Sequence, residues 1–154
     1  ADAGDDDARR WVIALDERCE RAQSGHVTRR ASRAQGRAWT RACVEVFGVG
    51  VAKLPYGHWP VAFGVTMRAL EVEPREALEL YLQLGTRGVL SAAVRLGELG
   101  PSAAQRAQDR LAAVAGAVVE VCGERSVDDA AHSAPIEELY ANLHDALPAR
   151  LFQS

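Results

Sequence analysis

The sequence predicts an all-α protein, a single-domain bundle of about six helices. Apolar residues recur at three- and four-residue steps along almost the whole chain, which is the period of an amphipathic helix. No stretch alternates apolar and polar residues over a useful strand length. The 154 residues are 48% hydrophobic and 25% charged, a composition that suits one folded domain with a sizeable core.

Two helices are predicted in the first third of the chain. The first follows Asp5, Asp6 and Asp7, which are expected to cap it and to meet its positive end. Its apolar stripe consists of Ala8, Trp11, Val12, Leu15, Cys19 and Ala22. The second covers residues 28–47, and its small residues favour close helix packing. That narrow face consists of Ala31, Ala34, Ala38, Ala42 and Val46.

A loop and four further helices are predicted in the remainder. Residues 48–60 hold three glycines and two prolines and form the main interhelical loop. A third helix begins at "VAFGVTMRAL", and a fourth runs from Pro74, suited to a first turn, to Leu96. The fifth helix has an apolar face of Ala104, Ala107, Leu111, Val114, Val118 and Val121. The sixth is expected to turn Ile136, Leu139, Tyr140, Leu143 and Leu147 inward.

Charge and composition argue against several classes of protein. A net charge of -3 gives no overall basic field to collect phosphates, so nucleic-acid binding is disfavoured. No apolar run approaches the roughly 20 residues that span a bilayer, and the first residues do not form a signal peptide. Three widely separated cysteines cannot give a full disulfide set. The cytoplasm is therefore the expected compartment.

Catalytic and cofactor motifs are not found in the sequence. The sole lysine, Lys53, does not belong to a glycine-rich phosphate loop, and Ser91 lacks the flanking glycines of a nucleophile elbow. The histidines lie on different elements without the spacing of a metal site; they are His26, His58, His132 and His144. We therefore predict a protein that is not an enzyme and binds no cofactor or metal. A hydrolase using His132 or His144 is the weakest alternative.

Arg95 stands out because it interrupts an apolar helix in "GVLSAAVRLGELG". At 100° per residue, Ser91 and Arg95 fall on the side that Ala77 and Leu84 use for the core. Arg95 is therefore expected to be at least half-buried, where a guanidinium needs a partner. One interpretation is an internal ion pair with Glu98, Asp109 or the chain terminus. The other is a cleft or interface that another protein completes.

Four stretches, in order between residues 29 and 154, resemble the UreF family of urease accessory proteins. "SAAVRLGELG", with Gln105 downstream, is similar to that family's signature, and "RRASRAQGRA" and "GHWPVAFG" are similar to two upstream segments. His144, Leu147 and "RLFQS" resemble its closing motif. Pro101 departs from the pattern, because the family commonly has glutamine there. The family's N-terminal segment rich in Gly, Ser and His is not matched by this chain.

The resemblance implies an all-helical scaffold without catalysis of its own. UreF-like proteins form homodimers, bind UreD (also called UreH), and recruit the GTPase UreG to apo-urease, to which nickel is passed. No nucleic acid and no membrane take part in this expected role. The partner-binding residues implied by the resemblance are Ser91, Arg95, His144, Arg150, Leu151, Phe152 and Ser154.

The expected organisation is one UreF-like domain over residues 1–154, with 148–154 as a partner-binding tail. Pro148 disfavours a continuous helix into that tail, so Leu151 and Phe152 either bind a partner or fold back onto the core. His58 and Trp59 are expected to be structural, anchoring the loop against the bundle. The alternative function is a small helical binding or regulatory module with a ligand pocket.

Overall fold

The computed structural model describes residues 3–23, 25–130 and 135–144. Within these ranges there are six α-helices, one short 3₁₀ helix and no strand, so the all-α prediction is confirmed. The helices are α1 (Ala3–Ala22), α2 (His26–Phe47), α3 (Trp59–Ala69), α4 (Pro74–Arg95), α5 (Pro101–Cys122) and α6 (Pro135–His144), with the 3₁₀ helix at Val127–Asp129.

Contacts divide the described chain into two compact units. The first unit contains α1, α2, α3 and α6, and the second contains α4, α5 and the 3₁₀ helix. None of the described helices is long and apolar enough to cross a membrane. The single domain expected over residues 1–154 stays a prediction.

The core of the first unit is built around α3. This helix begins with Pro60 in its first turn, where a missing N–H costs nothing, and it buries most of its residues. The buried residues of α3 are Val61, Ala62, Phe63, Thr66 and Met67. Trp39 of α2 and the rings of Trp59 and Phe63 lie with each pair of ring centroids 5.3 Å apart. This aromatic cluster joins α2 to α3.

The packing face of α2 differs from the predicted alanine stripe. The helix buries Val27, Ser32, Gly36 and Cys43, whereas Ala34, Ala38, Ala42 and Val46 are exposed. The buried set lies about one residue, or 100°, around the helix from the predicted one. The predicted close packing at the alanines is therefore wrong, and the close approach lies instead at Gly36, where the neighbour is the 48–58 loop.

On α1, the predicted acidic cap and apolar stripe are both corrected. The helix begins at Ala3, so Asp6 and Asp7 lie inside its first turns, where negative charge still meets the positive helix end. Trp11 in the predicted stripe is 62% exposed, and Asp16 is instead fully buried. The reason is a set of backbone donors that reaches Asp16 from the loop after α2.

Several predicted apolar faces are open in the structure. On α5 the buried residues are Ala115 and Val119, while the predicted face is exposed at Leu111, Val114, Val118 and Val121. On α6 the residues expected to face inward are exposed: Ile136, Leu139, Tyr140 and Leu143. Periodicity identifies the apolar side of a helix but not whether a neighbour covers it. Leu147 lies outside the described residues.

Candidate functional site

An open groove of about 540 Å³ lies between α4 and α5 in the second unit. The two helices are joined by residues 96–100 and run antiparallel, as expected for a short connection. Gln108 of α5 donates from its amide nitrogen to the hydroxyl of Thr86 on α4 at 3.1 Å, and to the Gln83 carbonyl at 3.4 Å. These bonds fix the register of the two walls.

The groove combines apolar walls with a polar line. Its apolar lining consists of Leu80, Leu84, Leu90, Val94, Pro101 and Ala104. Its polar lining consists of Gln83, Arg87, Ser91, Gln105 and Gln108. The polar residues of α4 follow each other at four-residue spacing, so one helix face carries them all. Arg87 is the only charged residue of the lining, and it makes no ion pair or hydrogen bond with the described residues.

One oxygen in the groove wall lacks a donor. The side-chain Oε1 of Gln108 is buried and accepts no hydrogen bond from the described residues. An unsatisfied buried acceptor costs about 1–3 kcal/mol, and such exceptions in a fold call for an explanation.

The groove brings together two positions of the family-like signature. Ser91 lies on the α4 wall and Gln105 on the α5 wall, and both are exposed. Pro101, the departure from the family pattern, is also part of the lining and occupies the first turn of α5. The signature residues Ser91 and Gln105 are therefore surface positions on two facing helices.

Arg95 is exposed, which corrects the expectation that it is at least half-buried. It forms the last residue of α4, one turn beyond Ser91, where a cation meets the negative end of the helix. No described residue of α4 is buried, so this helix leaves its guanidinium in reach of water. Arg95 makes an interaction within the chain, and the choice among the carboxylates considered for it stays open.

A buried carboxylate holds the 48–58 loop in the first unit. Asp16 of α1 accepts three backbone hydrogen bonds, from Tyr56 at 2.7 Å, Gly57 at 3.0 Å and His58 at 2.9 Å. The three backbone N–H donors lie 40 to 42 positions after Asp16 in the sequence. Asp16 therefore clamps the loop onto α1 where α3 begins.

His58 is fully buried and links three helices of the same unit. Its Nδ1 lies 3.1 Å from the Ser32 hydroxyl, and its Nε2 lies 2.9 Å from Glu20 Oε2. Ser32 also accepts from the backbone N–H of Trp59. The prediction that His58 and Trp59 anchor the loop is confirmed. Both ring nitrogens of His58 are used in this way, and its side chain is buried away from solvent.

Glu20 is the charged end of this network. Arg33 donates to both oxygens of Glu20 in a bidentate pair, and Arg29 lies 3.6 Å away. Burial opposes ionisation of Glu20, but the hydrogen bonds from Arg33 and His58 outweigh it and lower the pKa of its carboxyl. The Arg33 guanidinium also stacks over the Tyr56 ring. The 48–58 loop is thus held in place by charged and polar groups, namely Glu20, Arg29, Arg33 and His58.

The 48–58 loop packs closely against α2 because Gly36 has no side chain. A Cβ at this position would lie 2.1 Å from the Gly57 carbonyl oxygen and 2.9 Å from the His58 carbonyl carbon. Gly57 itself has φ 72°, a conformation that a side chain would strain. The loop therefore packs backbone against backbone on α2.

Metal-binding groups do not come together among the described residues. Among them, no three histidine, cysteine or acidic side chains could hold a metal ion. Burial raises the pKa of the Cys43 thiol, and Cys122 is an exposed free cysteine. The side chain of His144, together with His132 and the predicted tail residues, lies outside the described residues; those tail residues are Arg150, Leu151, Phe152 and Ser154.

Sequence analysis did not single out Asp16, Glu20, Arg87 or Gln108. A signal was present for Asp16, since it lies four residues after Val12 and three before Cys19 in the predicted apolar stripe. A charge in an apolar stripe needs either a partner or water. Arg87 carried no such signal because it belongs to a polar arc of α4 that is typical of a solvated face.

Comparison with known proteins matches this chain to one family. The family model described as UreF matches residues 1–112, well over half of the chain. That range contains the aromatic cluster, the Asp16 clamp and both walls of the groove at its signature positions.

Curated relatives agree with the family model. The chain is 29% identical over 158 residues to urease accessory protein F of Oryza sativa subsp. indica, covering 95% of this chain and 60% of the relative. It is 30% identical over 143 residues to urease accessory protein F of Arabidopsis thaliana, covering 85% and 59%. Urease accessory protein UreF of Paenarthrobacter aurescens is 37% identical over 102 residues, covering 64% and 44%. The chain thus spans about 60% or less of the length of these relatives.

Proposed function

The chain belongs to the UreF family of urease accessory proteins, and we propose that it serves urease maturation as a non-catalytic adaptor. In this proposal it forms a homodimer, binds UreD (UreH), and recruits the GTPase UreG to apo-urease so that nickel reaches the urease active site. The chain holds no cofactor of its own and acts in the cytoplasm, away from membranes and nucleic acid.

The observation that carries this proposal is the position of the family-like signature. Ser91 and Gln105 face each other across an open groove instead of filling a core, and Arg95 is exposed one turn beyond. These signature residues do not pack inside their own chain. Contact with a partner protein explains why they belong to a signature. Arginine at such a surface is typical of protein interfaces.

The chemistry of the groove favours an adaptor over a ligand-binding or hydrolytic module. A ligand-binding or hydrolytic site needs a histidine or a carboxylate that points into an enclosed apolar pocket. The lining of this groove holds an arginine and neutral amides, with no histidine and no acid. That combination suits the side of another protein.

A homodimer is supported by apolar faces left open on both units. The second unit exposes Val114 and Val121 at 55% and 62%, and the first unit exposes Ile136 and Tyr140 at 68% each. Contiguous exposed apolar side chains of this size are uncommon in monomers and are typical of interaction sites. The proposal that residues of the 148–154 tail bind a partner rests on the similarity of this closing motif to the family's.

The proposal is tested by co-expressing the protein with UreD and UreG and separating the products by gel filtration. We expect the protein to elute with UreD, and the pair to retain UreG. A well-folded protein that elutes apart from UreD would remove the adaptor proposal.

A variant of Arg95 tests the site within that complex. Arg95→Ala should keep the helical circular dichroism signal and UreD binding, because Arg95 is exposed at a helix end, but should lose most UreG. Arg106→Ala, an exposed arginine of α5 outside the groove lining, is the matched control and should retain UreG. Equal UreG recovery in the two variants would contradict the role of Arg95, and an unfolded Arg95→Ala protein would indicate an internal ion pair.

A further inference from the structure

We propose that His58, with Ser32 and Glu20, forms a proton-sensitive latch: the neutral imidazole holds the 48–58 loop on α1 and α2, and uptake of one proton releases it. His58 is fully buried, and its two ring nitrogens face Ser32 and Glu20. A buried imidazole whose hydrogen-bond partners suit only one protonation state makes its surroundings sensitive to pH. This inference concerns the first unit alone and requires neither UreD nor UreG.

Glu20 determines the state of His58 Nε2. Glu20 Oε2 lies 2.9 Å from His58 Nε2, and Arg33 donates to both oxygens of the carboxylate. Burial opposes ionisation of Glu20, but the hydrogen bonds from Arg33 and His58 outweigh it and keep the pKa of its carboxyl low. An ionised carboxylate only accepts hydrogen bonds. His58 Nε2 therefore carries a hydrogen and donates it to Glu20.

The hydroxyl of Ser32 determines the state of His58 Nδ1. Ser32 Oγ accepts from the backbone N–H of Trp59 at 3.1 Å and lies 3.1 Å from Nδ1. A helical hydroxyl can instead donate to the carbonyl four residues earlier, as Thr66 does to Ala62. Ser32 makes no such bond with the described residues. Nδ1 is then the acceptor for the Ser32 hydrogen, which requires a lone pair on Nδ1 and hence a neutral imidazole.

The charges of this network balance while His58 is neutral. Its charged and titratable groups come from α1, α2 and the loop; they are Asp16, Glu20, Arg29, Arg33, Arg37 and Tyr56. Arg29 and Arg33 offset the two carboxylates, while Arg37 donates to the Tyr56 carbonyl at 3.5 Å on the exposed side. A proton on His58 would add a buried positive charge that no further carboxylate of these groups offsets. Such a charge is costly.

Protonation of His58 also breaks the hydrogen bonds that anchor the loop. A hydrogen on Nδ1 would point at Ser32 Oγ, and the hydroxyl hydrogen of Ser32 would lose its acceptor. Ser32 holds the N–H of Trp59, and His58 donates its own N–H to Asp16, so a displaced imidazole loosens the loop at both contacts. Because the released loop binds a proton that the anchored loop does not, anchoring weakens as the pH falls through the range in which histidine titrates. The lowered pKa of Glu20 places its own titration at more acidic pH.

Nitrogen NMR of the full chain, with labelled histidine, tests the protonation state directly. The spectrum distinguishes a ring nitrogen that carries a hydrogen from one that carries a lone pair. At about pH 7.5 we expect one of each for His58, with the hydrogen on Nε2. Two protonated nitrogens, or a hydrogen on Nδ1 alone, would overturn the inference.

Amide hydrogen exchange measures release of the loop. The N–H groups of Tyr56, Gly57 and His58 donate to Asp16, so their protection relative to an unstructured peptide reports how often the loop opens. Between about pH 7.5 and about pH 5.5, one proton bound on opening should lower this protection about tenfold. An unchanged protection in the wild-type chain would overturn the inference.

Two variants assign the pH dependence to His58. His58→Gln cannot take up a proton, so its loop should be protected equally at the two pH values, whatever its absolute stability. His26→Gln, at an exposed histidine where α2 begins, is the matched control and should keep the tenfold change. A tenfold change that persists in His58→Gln would overturn the inference. If His58→Gln does not fold, the nitrogen spectrum and the wild-type exchange decide the question.

Discussion

Replacing Asp16 by asparagine is expected to lower the free energy of unfolding of the first unit by about 3–5 kcal/mol. The carboxylate is fully buried and accepts three backbone hydrogen bonds. An asparagine of the same shape offers one acceptor oxygen, and its amide group points donors at backbone donors. At least one loop N–H is then left buried and unpaired.

Urea unfolding followed by tryptophan fluorescence measures this change. All three tryptophans, Trp11, Trp39 and Trp59, belong to the first unit, so their emission reports the unit that contains Asp16. Asp7→Asn is the matched control on the same helix, since Asp7 is exposed and, among the described residues, pairs with Arg10 one turn away. Asp7→Asn should leave the midpoint of urea unfolding nearly unchanged. A midpoint for Asp16→Asn equal to that of the control would show that the loop is held by other contacts.

Replacing Gly36 by alanine is expected to lower the free energy of unfolding by an amount similar to that of Asp16→Asn, but for a steric reason. The added Cβ would lie 2.1 Å from the Gly57 carbonyl oxygen, a backbone atom that cannot rotate away. The loop must then lift from α2, and the hydrogen bonds from Tyr56, Gly57 and His58 to Asp16 lengthen or break. We expect a loss of roughly 3 kcal/mol or more, comparable to other severe core changes.

The control for Gly36→Ala is the same substitution at Gly64. This glycine is exposed on α3, and a Cβ there meets nothing within 4 Å. Alanine in a helix interior is favoured over glycine by about 0.5–1 kcal/mol, so Gly64→Ala should raise the urea midpoint. The two variants therefore shift the midpoint in opposite directions. A gain in stability for Gly36→Ala would contradict the observed approach of loop and helix.

The helices could be predicted from the sequence because their signals are local. Proline in the first turn marks α4 and α5, and the glycines between Gly48 and Gly57 mark the loop. Which face each helix buries is not a local property. The alanine stripe of α2 satisfies every requirement of a packing face, yet the loop carbonyl of Gly57 selects the face that carries Gly36.

Asp16 and Arg95 show the same limit for charged residues. Each interrupts an apolar stripe, but only Arg95 was predicted to be at least half-buried on that ground. Asp16 is buried because three N–H groups of a distant loop meet it, whereas Arg95 is exposed because α4 buries no described residue. The sequence identifies the unusual charge but not what lies opposite it. Ser91, Pro101 and Gln105 of the groove could be named beforehand, because they belong to or adjoin the family-like signature.

Urease activation in cells measures whether this chain serves urease maturation. Cells are prepared that carry urease, UreD and UreG genes from the same source, with nickel in the medium and with or without the gene for the full-length protein. We expect urease made with the protein to have high activity and bound nickel, and urease made without it to have little of either. Equal activity and equal nickel content in the two preparations would show that the chain has no such role.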